Sequence, residues 1–95
     1  MTLRIPGRRD TELSPLEAEV MSEKAAALSQ TGRKVEAALA ALAEAGDDRP
    51  QRLKAAADAV YGFFIQREII GLRDHRSVID HYAIPHEVLL RLGAT

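Results

Sequence analysis

The chain has 95 residues, 46% of them apolar, a formal net charge of −1 and a sequence pI near 6.3. One domain of this size buries a modest share of its surface, so help from a partner subunit is expected, while the near-neutral charge leaves no electrostatic footprint for nucleic acid or an anionic membrane. The absence of cysteine excludes disulfides, thiolate metal ligands and a cysteine nucleophile, and no apolar run approaches the ~18 residues of a membrane span or forms the core of a signal peptide, which predicts a soluble, cytoplasmic protein.

Residues 1–13 mix Arg4, Arg8 and Arg9 with Pro6, Gly7, Asp10 and Glu12 and show no periodicity. They predict a mobile N-terminal arm, and an ordinary unpacked terminus suits this composition better than an arm that touches phosphate. A single helical domain is expected over residues 14–95. Ser14-Pro15-Leu16-Glu17 is a helix start, with Ser14 as N-cap, Pro15 in the first turn and Glu17 placed to reach back. The helix then keeps a seven-residue phase through Met21, Leu28, Val35 and Leu42, with Ala18, Ala25, Gly32 and Leu39 in the companion register. A helix that restarted after Gly32 would have no reason to keep that phase, so one helix is predicted from Pro15 to about Ala45, closed by Gly46.

Asp48-Arg49-Pro50-Gln51 opens a second helix, with Asp48 as N-cap and Gln51 reciprocating, running from about Pro50 to Leu72. Its stretch AVYGFFIQREIIGL, Ala59 to Leu72, holds three of the four aromatic residues. Apolar residues cover most directions of the helical wheel and leave only a narrow polar sector at Gln66, Arg67 and Glu68. This helix is therefore expected at the centre of the core, with Phe64 and Ile69 buried. A strand reading fails because strict alternation is missing and Leu53 to Ala59 are helix formers. Asp74 is the expected N-cap of a short helix from His75 to Tyr82, and Ile84-Pro85 starts a last helix from Pro85 to Leu92 that ends at Gly93. The fold class is all-α: two long antiparallel helices and a short C-terminal helical hairpin, assembled as an oligomeric helical bundle.

Chemistry is sparse. Arg67, Glu68, Arg73, Asp74 and His75 gather charge at the end of the most apolar helix; they are the candidate ligand-binding residues, as an anion-binding pocket around Arg67, Arg73 and His75. A salt-bridge cluster that fixes the turn explains the same residues, with Glu68 paired to Arg73 or Arg76 and Arg67 reaching Asp74. His75 and His81 are rotated by about 240° on one helix and do not converge, and the three histidines match no metal motif, so they are expected in solvent. Ser14 serves a cap, Ser77 begins a short helix, and no glycine-flanked serine is present, so no catalytic residue is assigned. Residues 75–92 have helix-turn-helix spacing, but a recognition helix there would offer His86 and Glu87 to the DNA, with Arg91 its one arginine. DNA binding is the alternative function.

The segments EKAAALSQTGRKVEAALAAL, AAADAVYGFFIQREIIGLRDH and YAIPHEVLLRLG together resemble a family of short, uncharacterised bacterial proteins known as a domain of unknown function. The resemblance covers most of the chain after Ser14 and implies a cytoplasmic bacterial protein; it carries over no activity, cofactor or site residue. The reading that follows is a small non-enzymatic helical protein, without metal or cofactor, that self-associates and acts through protein partners. A homodimer along the first long helix is expected. That helix, about 46 Å long, outreaches the second, about 34 Å, and Ala18, Ala25 and Gly32 suit a close crossing.

Overall fold

The computed structural model describes residues 14–94, so the expected N-terminal arm lies outside the described residues. Within them the chain is all-helical: α1 (Pro15–Ala43), α2 (Arg49–Ile69), α3 (Arg76–Tyr82) and α4 (His86–Leu89). The two long helices pack against each other, and α4 returns onto α2.

The start of α1 follows its sequence. Ser14 Oγ accepts from the Glu17 amide at 3.1 Å and Glu17 Oε1 accepts from the Ser14 amide at 2.9 Å, which satisfies two of the donors a helix start leaves open. Gly32 leaves the helix unbroken. A Cβ at that position would lie 2.7 Å from Tyr82 Oη and 3.5 Å from Phe63 Cε1. The missing side chain therefore makes room for the phenol of α3, whose ring meets Phe63 edge to face at 5.5 Å. The expected role of Gly32 in a crossing with a second copy is corrected: the glycine is buried inside its own chain.

Neither of the expected caps at the α1–α2 turn forms. Gly46 is not among the positive-φ glycines, and α1 ends two residues early in tighter turns, Glu44 N–H to Ala41 O and Ala45 N–H to Leu42 O. Asp48 makes no side-chain cap. Its carboxylate instead accepts from the Gly46 amide and from Arg52 Nε, and Arg52 donates on to the Ala41 carbonyl at 2.8 Å. A cation thus sits on a carbonyl in the last turn of α1, where the helix dipole favours it.

At its other end α2 stops earlier than Leu72, in a Schellman turn. The Leu72 amide donates to Arg67 O, the Gly71 amide to Glu68 O, and Gly71 takes φ +94°. α3 ends the same way, with Ile84 N–H on Ile79 O, but an alanine, Ala83, holds the left-handed position at φ 52°. The last helix is one turn rather than the expected span to Leu92; three-residue turns, Arg91 N–H to Val88 O and Leu92 N–H to Leu89 O, carry the chain on to Gly93 at φ +74°.

The core is Val35 and Leu42 of α1, Leu53, Ala56, Ala57, Val60, Phe63 and Phe64 of α2, and Ile84 and Val88 of the C-terminal turns. Phe64 is buried as expected, but Ile69 is 66% exposed, which corrects its place in the core. The apolar wheel of α2 exceeds what the chain can cover, because α1 and the C-terminal turns occupy two of its sides and leave Tyr61, Ile65 and Ile69 outward.

Candidate functional site

The charged residues at the end of α2 converge. Arg67, read from sequence as part of a polar sector, is buried. Its Nε donates to His75 Nδ1 at 3.1 Å, its NH2 donates to the Asp74 carbonyl at 2.9 Å, and its guanidinium carbon lies 5.9 Å from the Phe63 ring centre. Because Nδ1 accepts, the proton of the neutral imidazole belongs on Nε2, which faces Glu68 Oε2 at 2.9 Å. The His75 ring stacks on Phe64, centroids 4.1 Å apart and planes 4° from parallel. This corrects the expectation of a solvent-exposed His75, whose side chain is 13% exposed; His81 and His86 are exposed.

The expected ion pairs give way to hydrogen bonds. Glu68 meets His75 rather than Arg73 or Arg76, and Arg67 takes the backbone of Asp74 rather than its carboxylate. Asp74 turns outward to Arg76: its Oδ1 accepts the Arg76 amide, and the Arg76 guanidinium holds its carboxyl well below the usual carboxylate range. Asp74 therefore serves the start of α3 from one residue before His75, the N-cap. Among the described residues Arg73 makes no ion pair, so four of the five candidate ligand residues gather and Arg73 does not. The donors of Arg67 point into the chain and tie the last turn of α2 to the segment before α3. What this arrangement accomplishes chemically is the fixing of a turn.

A second feature lies on α1. Every described residue from Ser14 to Ala26 is exposed, including Leu16 at 69%, Met21 at 53% and Val20 at 39%. Leu16, Glu17, Val20 and Met21 line a shallow apolar depression of about 290 Å³. It continues past Met21 into a groove of about 310 Å³ between Lys24, Ala25 and Leu28 of α1 and Ile70 and Leu72 beyond α2. The seam that holds α2 further along α1 thus extends uncovered to the first turn.

With this geometry in hand, comparison with protein families gives one result: the profile described as "Family of unknown function (DUF6665)" matches residues 3–95. The chain belongs to this DUF6665 family. No curated protein and no solved structure matches it. The DUF6665 family, being of unknown function, brings no residue roles to this chain. No helix among the described residues is long and apolar enough to cross a membrane. The uncovered face was partly readable from the unequal helix lengths. Arg52 on the Ala41 carbonyl and the stacking of His75 on Phe64 left no sequence signal, since both join residues brought together by a turn.

Proposed function

We propose that this DUF6665 protein is a cytoplasmic, non-enzymatic helical protein that self-associates as a homodimer through the first half of α1 and works through protein contacts. The carrying observation is the uncovered apolar face: Leu16, Val20 and Met21 lie exposed in a row that runs into the groove at Ile70 and Leu72. Isolated helices shorter than about 12–15 residues are marginal in water, so a stretch of α1 with no packing of its own gains from a partner. Contiguous exposed apolar surface of this kind marks interaction sites. The heptad phase that seats Val35 and Leu42 on α2 also places Met21 and Leu28 on the same line, which suits another helix.

Sedimentation equilibrium tests the reading. The expected mass is twice the 10.4 kDa of the chain, and Val20→Asp is expected to return it to the single-chain value with the core of α2 still folded. A wild-type protein that sediments as a monomer at high concentration would sink the proposal.

A further inference from the structure

The uncovered face carries two charges in its midline. Glu17 and Lys24 are seven residues apart, about two turns, so they lie along the stripe rather than beside it, flanked by Leu16, Val20, Met21 and Leu28. Glu17 uses Oε1 in the cap of Ser14 and keeps its other oxygen, and Lys24 forms part of the groove wall. Charges set in an apolar seam demand opposite charge across it, because like charges in a drying interface are costly. The uncovered part of α1, Pro15 to Ala26, has its midpoint between Val20 and Met21. The pair Glu17 and Lys24 has the same midpoint.

From this coincidence we infer that the partner on this face is a second copy of the chain lying antiparallel, its uncovered half of α1 on that of the first, with Glu17 of each copy opposite Lys24 of the other. The inference rests on the self-association proposed above and adds its orientation and register. A two-fold axis between Val20 and Met21 makes the stretch complementary to itself. It sets two ion pairs around a centre of four apolar side chains, Val20 and Met21 from each copy. It also lays the first turn of the partner helix beside the groove bounded by Leu28, Ile70 and Leu72, in line with α2 along the seam. A parallel pair in register would set Glu17 against Glu17 and Lys24 against Lys24.

Spin-label distances decide the matter, and the absence of native cysteine makes single labels clean. In the full chain, labels at Ser22→Cys are expected within about 30 Å of each other, because the two positions lie at nearly the same level, on the outer faces of helices packed ~10 Å apart. Labels at Glu36→Cys are expected about 45 Å apart. Short distances at both positions would overturn the antiparallel register while leaving self-association standing, and no dipolar signal at either would overturn both. Glu17→Gln, which keeps the reach to the Ser14 amide, gives a second readout: the dimer dissociation constant is expected to rise about two- to five-fold. Tighter association on this change, as a parallel pair would give by losing a like-charge contact, refutes the register. Lys24→Glu is expected to weaken the dimer about ten-fold or more, by turning attraction into repulsion; an unchanged dimer would equally refute it.

Discussion

Gly32 shows how much a single position depends on a residue fifty places away. In a helix interior glycine costs about 1 kcal/mol against alanine, and the uninterrupted phase around it already argued for a continuous helix. Its use became visible with Tyr82, whose hydroxyl occupies the space a Cβ would need and whose ring is held between Phe63 and His81. Gly32→Ala is therefore expected to destabilise by about 1 kcal/mol net, the crowding outweighing the gain in helix propensity. In a Tyr82→Phe background the nearest remaining neighbours stand 3.5 and 3.6 Å away, ordinary contact distances. The same substitution should there stabilise by about 0.5–1 kcal/mol. Chemical denaturation of the four proteins of this cycle checks both signs, and a stabilising effect in the wild-type background would show that Tyr82 yields freely. Arg67 is the converse case, a polar residue whose burial depends on partners from elsewhere in the chain. A guanidinium reads as a surface group until a carbonyl, an imidazole and an aromatic face are assembled around it.

At the level of elements, the short C-terminal helix is attached by more than its apolar residues. Val88 is fully buried against α2, and Glu87 forms a two-pronged pair with Arg49 in the first turn of α2. The Arg49 guanidinium lowers the Glu87 carboxyl from its ordinary 4.5 and is itself raised. A carboxyl depressed in the folded state adds stability that is complete above its unfolded value and is lost as pH falls through the folded one. The attachment of α4 should therefore hold at neutral pH and weaken below about pH 4.5, with Glu87→Gln flattening that dependence. Stability measured from pH 7 to 3 for both proteins tests this, and parallel curves would remove the pair from the account. The effect is small, since both side chains are nearly half exposed. The same pair occupies Glu87, the residue that a helix-turn-helix reading would turn toward phosphates.

At the scale of the molecule, stability is unevenly spread along α1. From Gly32 onward its seam meets α2 and the C-terminal turns; before Leu28 it meets little. Amide exchange should reveal that division. On the proposed self-association, amides from Val20 to Ala26 are expected to be protected at high protein concentration and to lose protection on dilution, while those around Val35 and Val60 keep theirs. Protection of the first half of α1 that is independent of concentration would mean that nothing intermolecular covers it.

The sequence by itself determined what depends on neighbours along the chain: the all-helical class, the unbroken first helix, the capping box at Ser14, and the turn that Ile84-Pro85 imposes. Each rests on contacts within a few residues, where spacing and residue type are sufficient physics. Tertiary structure alone decided which apolar residues were covered, placing Phe64 in the core and Ile69 outside it, because a wheel of apolar side chains does not say how many neighbours the chain can supply. It also decided the partners of Arg67, Glu68 and His75, since polar side chains bond to whichever groups packing leaves within reach. The uncovered half of α1 belongs to both levels: the difference in helix length was legible in the residues, and the exposure of its apolar face required the position of the end of α2.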